Sequence, residues 1–361
     1  MQPISTARGL LRSGPAVRPS PSGALPQKRK NPYLYLMQKL SPAPYLSKAE
    51  MKQLLQKNDW LAAWEVLLHW AWIAGAFALV YIWPNVWTVL VSLFVLGGKQ
   101  LACAILMHDT SHQSVFSSRR LNDLIGQWLG AYPVFNNMKR YRPYHFKHHI
   151  STGLEDDPDL LLTRGYPTSR RSMFRKLFRD LSGQTGIKAL IGLIMMHLGY
   201  LEYNLGGQVV RVSRKDRSWG EFFRTAAHNL GGPLLANLGL LGLLWWLASP
   251  WLYLLWIGAY LTTFQFSLRI RSIAEHSVVP DPTDPLRNTR TTYANPLERL
   301  LFAPYHVNYH LEHHMMMGVP SYQLPRMHKL IKARGFYETG LLEKNYWNVV
   351  KLAVGAKTPG N

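Results

Sequence analysis

The sequence predicts an all-α integral membrane protein: four transmembrane helices in two hairpins, with a cytoplasmic helical cap that holds a histidine-rich site for two metal ions. Three observations carry the prediction. Residues 66–98 and 225–268 contain no Lys, Arg, Asp or Glu. The basic residues behind the net charge of +21 all lie outside those windows, Lys99 standing directly at the edge of the first. Nine of the 14 histidines fall in three short clusters.

The second window is 44 residues long, close to two spans of about 20 residues each. Pro84-Asn85 and Ser249-Pro250 interrupt the windows near their middles, where turns outside the membrane belong. Of 41 Lys and Arg, 10 precede the first hairpin, 18 lie between the hairpins and 12 follow the second. Neither turn carries any, so the positive-inside rule puts both termini and the long middle segment in the cytoplasm. The expected location is a bacterial inner membrane, with an organellar membrane as the alternative. Basic residues placed this way suit anionic lipid headgroups, and no nucleic-acid module accompanies them. The single cysteine, Cys103, excludes an internal disulfide and a thiolate metal site.

In chain order, residues 1–47 contain no acid and are rich in Pro, Ser, Arg and Lys. They read as a disordered basic tail, with an organellar transit peptide as the alternative. The main body is expected over 48–340 and a C-terminal tail over 341–361. Residues 48–65 read as a surface helix leading into the first span. The second span ends in L-M-H-D-T-S-H, placing His108 and His112 one helical turn apart. Residues 121–135 are apolar but too short to cross, which suits a helix against the membrane face. Y-R-P-Y-H-F-K-H-H follows, with His145, His148 and His149 ahead of the acids Glu155, Asp156, Asp157 and Asp159. A second short apolar stretch, 187–201, reads as a cap helix, a tilted fifth span being the alternative. The fourth span ends at Glu275-His276. Last comes Y-H-V-N-Y-H-L-E-H-H, in which one helix over 306–314 would point His306, His310, His313 and His314 to one side. His69, His197, His228 and His328 stand alone and read as packing residues.

Imidazole suits Fe, Zn, Cu and Ni. Eight histidines in H-x-x-x-H and H-x-x-H-H spacings exceed what one zinc takes, so the number points to two ions. No H-E-x-x-H occurs, against a zinc protease, and Gly206-Gly207 lacks a phosphate-loop context.

The series H-D-x-x-H, H-x-x-H-H and H-x-x-H-H, separated by hydrophobic hairpins, resembles the membrane fatty acid desaturase and hydroxylase superfamily over roughly residues 60 to 335. The resemblance implies two Fe ions held by histidines alone: His108 and His112; His145, His148 and His149; His276; and His310, His313 and His314. His306 is left as an extra. It implies O2 as co-substrate and hydrogen removal from an unactivated C–H bond of an acyl-lipid or acyl-thioester. A desaturase is the expected outcome, a hydroxylase the alternative, and a His-rich membrane metal-binding or transport protein the distant one. Asp109, Glu275 and Glu312 are the candidate catalytic acids, acting as partners for imidazole N–H groups. Without a haem-binding, ferredoxin or flavin motif in the chain, electrons are expected from an external donor of ferredoxin or cytochrome b5 type.

Overall fold

A short helix, α1 (Lys48–Leu54), starts behind Ser47, whose hydroxyl and the Glu50 carboxylate cap each other's backbone. The computed structural model describes residues 40–213 and 217–355, so most of the expected tail over 1–47 lies outside the described residues. Asn58 caps a new helix, α2 (Asp59–Ile82). The expected surface helix over 48–65 is therefore two pieces, the second being the first turns of α2. After a tight turn at 83–85, Asn85 and Thr88 form a capping box that starts α3 (Val86–Ser111).

The segment expected as one helix over 121–135 is instead α4 (Arg119–Ile125), a π turn (Gly126–Ala131) and a 3-10 turn (Tyr132–Val134). Next come α5 (Met138–Ser151), α6 (Leu160–Thr163), α7 (Arg170–Leu181) and α8 (Gln184–His197), the last covering most of the second short apolar stretch. The long α9 (Trp219–Leu247) starts from a Ser218–Glu221 capping box.

Among the described residues three helices, α2, α3 and α9, are long and apolar enough to cross a membrane. The fourth expected span is not one helix. It is divided into α10 (Leu252–Leu261) and α11 (Thr263–His276) by non-helical backbone at Thr262 (φ −117°, ψ −86°). The Thr263 hydroxyl donates to Leu93 O on α3 (2.5 Å). Gly97 makes this approach possible: a Cβ there would stand 2.4 Å from Thr263 Oγ1 and 2.7 Å from Phe264 N.

From Gly97 onward nearly every residue of α3 is buried, because the π turn, α10, α11 and α12 (Pro296–Leu301) surround it. Two short strands, β1 (Arg290–Thr292) and β2 (Leu341–Glu343), pair in parallel, Thr291 opposite Leu342. Between them lie α13 (His310–Met315) and α14 (Leu324–Ala333). The tail expected from residue 341 is thus part of the body as far as the described chain runs. Beyond β2, α15 (Tyr346–Ala353) buries Tyr346, Val349 and Ala353, one face at helical spacing, in the main core.

Candidate metal centre

Four elements carry the clustered histidines to one place. His108 ends α3 and His112 is its C-cap residue. His145, His148 and His149 lie on α5, His276 ends α11, and His310, His313 and His314 lie on α13. They form two groups, in each of which the ligand atoms lie within 4.8 Å of one another. The first is His108, His112, His145, His149 and His313; the second is His148, His276, His310 and His314. Both α5 and α13 feed both groups, because positions i and i+3 of an H-x-x-H-H run are rotated apart enough to face neighbouring centres while staying on one side of the helix.

His149 Nε2 lies 2.9 Å from His145 Nε2 and 3.2 Å from His313 Nε2. In the second group His310 Nε2 lies 2.9 Å from His276 Nε2 and 3.2 Å from His314 Nε2. Imidazole nitrogens about 2.1 Å from an ion and at right angles around it would stand about 3.0 Å apart. The donor sets therefore fit two ions. His108 Nε2 and both nitrogens of His112 are buried without a hydrogen-bond partner among the described residues, which leaves them free to ligate. Burial, with crowding by other imidazoles, pushes His145, His149, His310, His313 and His314 well below the ordinary imidazole pKa. They are neutral at pH 7 and offer lone pairs, as ligation requires. A cavity of about 30 Å³, lined by His145, His148, His276 and His310, lies against both groups. It is the size of one or two water molecules.

Acids fix the rings from outside. His108 Nδ1 is 2.6 Å from Asp109 Oδ1, and His148 Nδ1 is 2.8 Å from Asp157 Oδ1. Burial opposes a charge on His148, but the Asp157 hydrogen bond and the carboxylates of Asp159 and Glu275 outweigh it and raise its pKa. The same pairing holds Asp157 below the usual carboxylate range despite its burial. His276 Nδ1 donates to Asn288 O (3.1 Å). Glu275 lies 3.5 Å from His310 Nε2 and accepts from Arg271 Nε (2.5 Å).

Two sequence expectations need correction. Glu312 touches no clustered histidine: its carboxylate accepts from Thr291, His328 Nδ1 (2.6 Å) and Tyr337. Two residues beyond His310 on a helix, it is rotated about 200° away from that ring. His306 belongs to neither group. The helix begins only at His310, and Tyr305 and His306 both have positive φ, so no common face exists over 306–314.

Arg271 is a site residue that no histidine spacing points to; the signal for it in the sequence is its i, i+4 spacing to Glu275 at the end of an apolar run. Of the four acids after the second cluster, Asp157 holds His148, Asp159 accepts from Tyr144, and Glu155 pairs with Arg164 near the surface. Of the lone histidines, His69 Nε2 lies 3.3 Å from Cys103 Sγ and His197 donates to Phe135 O (2.9 Å).

The fatty acid desaturase family model matches residues 82–347. The chain is 27% identical to a dihydrorhizobitoxine desaturase of Bradyrhizobium elkanii, over 68% of each chain. It is 24% identical to an sn-1 oleoyl-lipid 12-desaturase of Picosynechococcus sp., over 93% of this chain and 92% of that one. It is 23% identical to a fatty acid desaturase 2-like protein of Mus musculus, over 76% of this chain and 54% of that one.

Proposed function

Because the chain belongs to the fatty acid desaturase family, an oxidoreductase family of membrane proteins, we propose that it is an O2-dependent desaturase that introduces a double bond into an acyl chain through two histidine-held irons. One observation carries the reading: nine imidazoles, and no thiolate, converge in two adjoining groups that share α5 and α13. Bound iron supplies dioxygen activation and removal of hydrogen from an unactivated C–H bond.

The residues do the rest. His108, His112, His145, His149 and His313 hold one ion, and His148, His276, His310 and His314 the other. Asp109 and Asp157 accept the outer N–H of His108 and His148, which fixes their tautomers and keeps Nε2 directed inward. Glu275, ion-paired with Arg271, keeps its second carboxylate oxygen 3.5 Å from His310 Nε2, beside the place the second ion would take. Burial of the ligands keeps bulk water out.

The proposed topology has α10 with the first part of α11 as a fourth crossing and both termini on the cytoplasmic side with the histidine groups. The charge-free turns at 83–85 and 248–250 support it. The Picosynechococcus relative, which covers nearly the whole chain, is named for a lipid substrate, and that supports an acyl-lipid here. Electrons come from a separate ferredoxin- or cytochrome-type donor attracted to a basic face. Turnover with that donor should weaken as ionic strength rises, and turnover indifferent to salt would remove the electrostatic docking from the proposal.

The deciding experiment profiles lipids and small metabolites of cells expressing the protein against a His313→Ala control. A mono-unsaturated product present only with the unaltered chain is expected. A hydroxylated product would replace desaturation by hydroxylation, and an unchanged profile would overturn the enzyme reading in those cells.

A further inference from the structure

Away from the histidine groups, a cavity of about 560 Å³ lies between α2, α3 and the segment 296–306. Three features set it apart from an ordinary packing defect. Its mouth is flanked by Leu68, Trp72 and Leu297, which are exposed on the surface beside α2, a candidate membrane helix. It therefore opens sideways, toward the position of lipid. Its wall carries Lys99, the one Lys or Arg in the hairpin of α2 and α3 and only 8% exposed. Lys99 has no carboxylate within ion-pair distance among the described residues, and its ammonium rests over the Trp72 ring at 5.5 Å. Its floor carries two further unpartnered groups: Nδ1 of His69, which is 4% exposed, and the hydroxyl of Tyr305.

A lysine buried beside lipid with no counter-charge is costly. So are buried polar atoms with no partner. Arg299 at the rim adds a second positive charge; the one acid lining the cavity, Glu65, stands one turn before His69 on the same face of α2, about 6 Å along the axis, so the cavity carries two cations against one carboxylate. One ligand answers the two cations and both unpartnered groups: an anion that pairs with Lys99 and Arg299 and exchanges hydrogen bonds with His69 and Tyr305, attached to a chain that covers Leu68, Trp72 and Leu297. The cavity also has a direct relation to the metal centre. Ala102, on its wall, precedes His108 by six residues of the same helix, about 9 Å.

We propose that this cavity receives the anionic head, carboxylate or phosphate, of an acyl amphiphile that enters from the bilayer. As the place where the charged end of the substrate is held, it rests on the desaturase reading; as a binding site, it does not.

The test is a binding titration on the iron-loaded protein in nanodiscs of neutral lipid, with a C16 carboxylate, a C16 alkyl phosphate and the C16 alcohol as probes. At least one anion should bind about tenfold or more tightly than the alcohol, the order expected from one charged hydrogen-bonded contact. Preference for the carboxylate assigns the head to a fatty acid, and preference for the phosphate assigns it to a lipid headgroup. Lys99→Met should abolish the preference and Lys99→Arg should keep it, with iron content unchanged in both. Equal binding of all three probes, or a preference that survives Lys99→Met, overturns the site. Loss of the preference in Lys99→Met with product still formed would leave the desaturase reading standing, whereas anion binding by a protein that forms no product would leave only this site.

Discussion

The two histidine groups use the same ligand but are held in different ways. In the first group one ring, His108, has a carboxylate behind it. Both nitrogens of His112 lack a hydrogen-bond partner among the described residues, and His145 is oriented by stacking on Tyr141 at 5.1 Å and 13°. In the second group His148 is fixed by Asp157, His276 by Asn288 O, and His310 stands beside Glu275. Hydrogen bonds hold two of the four rings of the second group from behind, His148 and His276, but only His108 of the five in the first, and Glu275 adds a carboxylate beside the second group alone. Because carboxylates raise the basicity of the imidazoles they hold and add negative charge, the second group should bind its cation more tightly.

The largest expected effect removes a ligand from either side. His145→Ala in the first group and His310→Ala in the second should each bring product to background, and elemental analysis should find about half the iron of the unaltered protein in each. Loss of all iron from both variants would mean that the groups do not load independently and would break the comparison.

Partial removal of iron with a chelator sharpens it next. The first group should empty before the second, leaving a half-loaded protein in which His145→Ala causes no further loss but His310→Ala does. Simultaneous loss from both would show that hydrogen bonding behind the rings does not set the order.

A smaller effect separates the acids. Asp157→Asn and Asp109→Asn should weaken iron binding by about 10- to 100-fold, with Asp157 at the upper end. Its carboxylate also accepts from the backbone N–H of Gly153 and Asp159 and so holds the loop after α5. Equal losses in the two variants would show that the loop contributes nothing.

The convergence of the histidine clusters was more legible in the sequence than the division of the fourth apolar stretch, for a physical reason. Ligand spacing on a helix is local, so H-x-x-x-H and H-x-x-H-H place their rings by geometry that the sequence contains. The break at Thr262 is not local: it arises where Gly97 of α3 lets the chain come close enough for Thr263 to bond Leu93 O. Nothing in the apolar run 250–268 announces it. Choosing Asp157 among four neighbouring acids likewise depended on how the turn at Gly153 folds. His306 misled because helical spacing was carried across residues whose backbone is not helical. The pairing of β1 with β2, which fastens residues 341–343 to the body, rests on a contact between segments some 50 residues apart.

The smallest predicted effect tests the one acid that sits among the clustered histidines in sequence but not in space. Glu312 is fully buried and gathers three donors, Thr291, His328 and Tyr337. Burial and the Glu312 charge push the Tyr337 hydroxyl above its ordinary pKa, so it stays protonated and donating. A glutamine in place of Glu312 keeps one acceptor oxygen but turns an NH2 toward groups that now donate to the carboxylate, so the three bonds must rearrange or be lost. Glu312→Gln should therefore cost about 1–3 kcal/mol of stability, seen as a lower thermal midpoint, while iron content in the folded protein stays unchanged. The opposite pattern, iron lost at an unchanged midpoint, would place Glu312 behind the ligand rings after all. The expected pattern assigns it the anchoring of the outer face of α13 to β1, α14 and Tyr337, so that His310, His313 and His314 on the inner face stay turned toward the other clustered histidines.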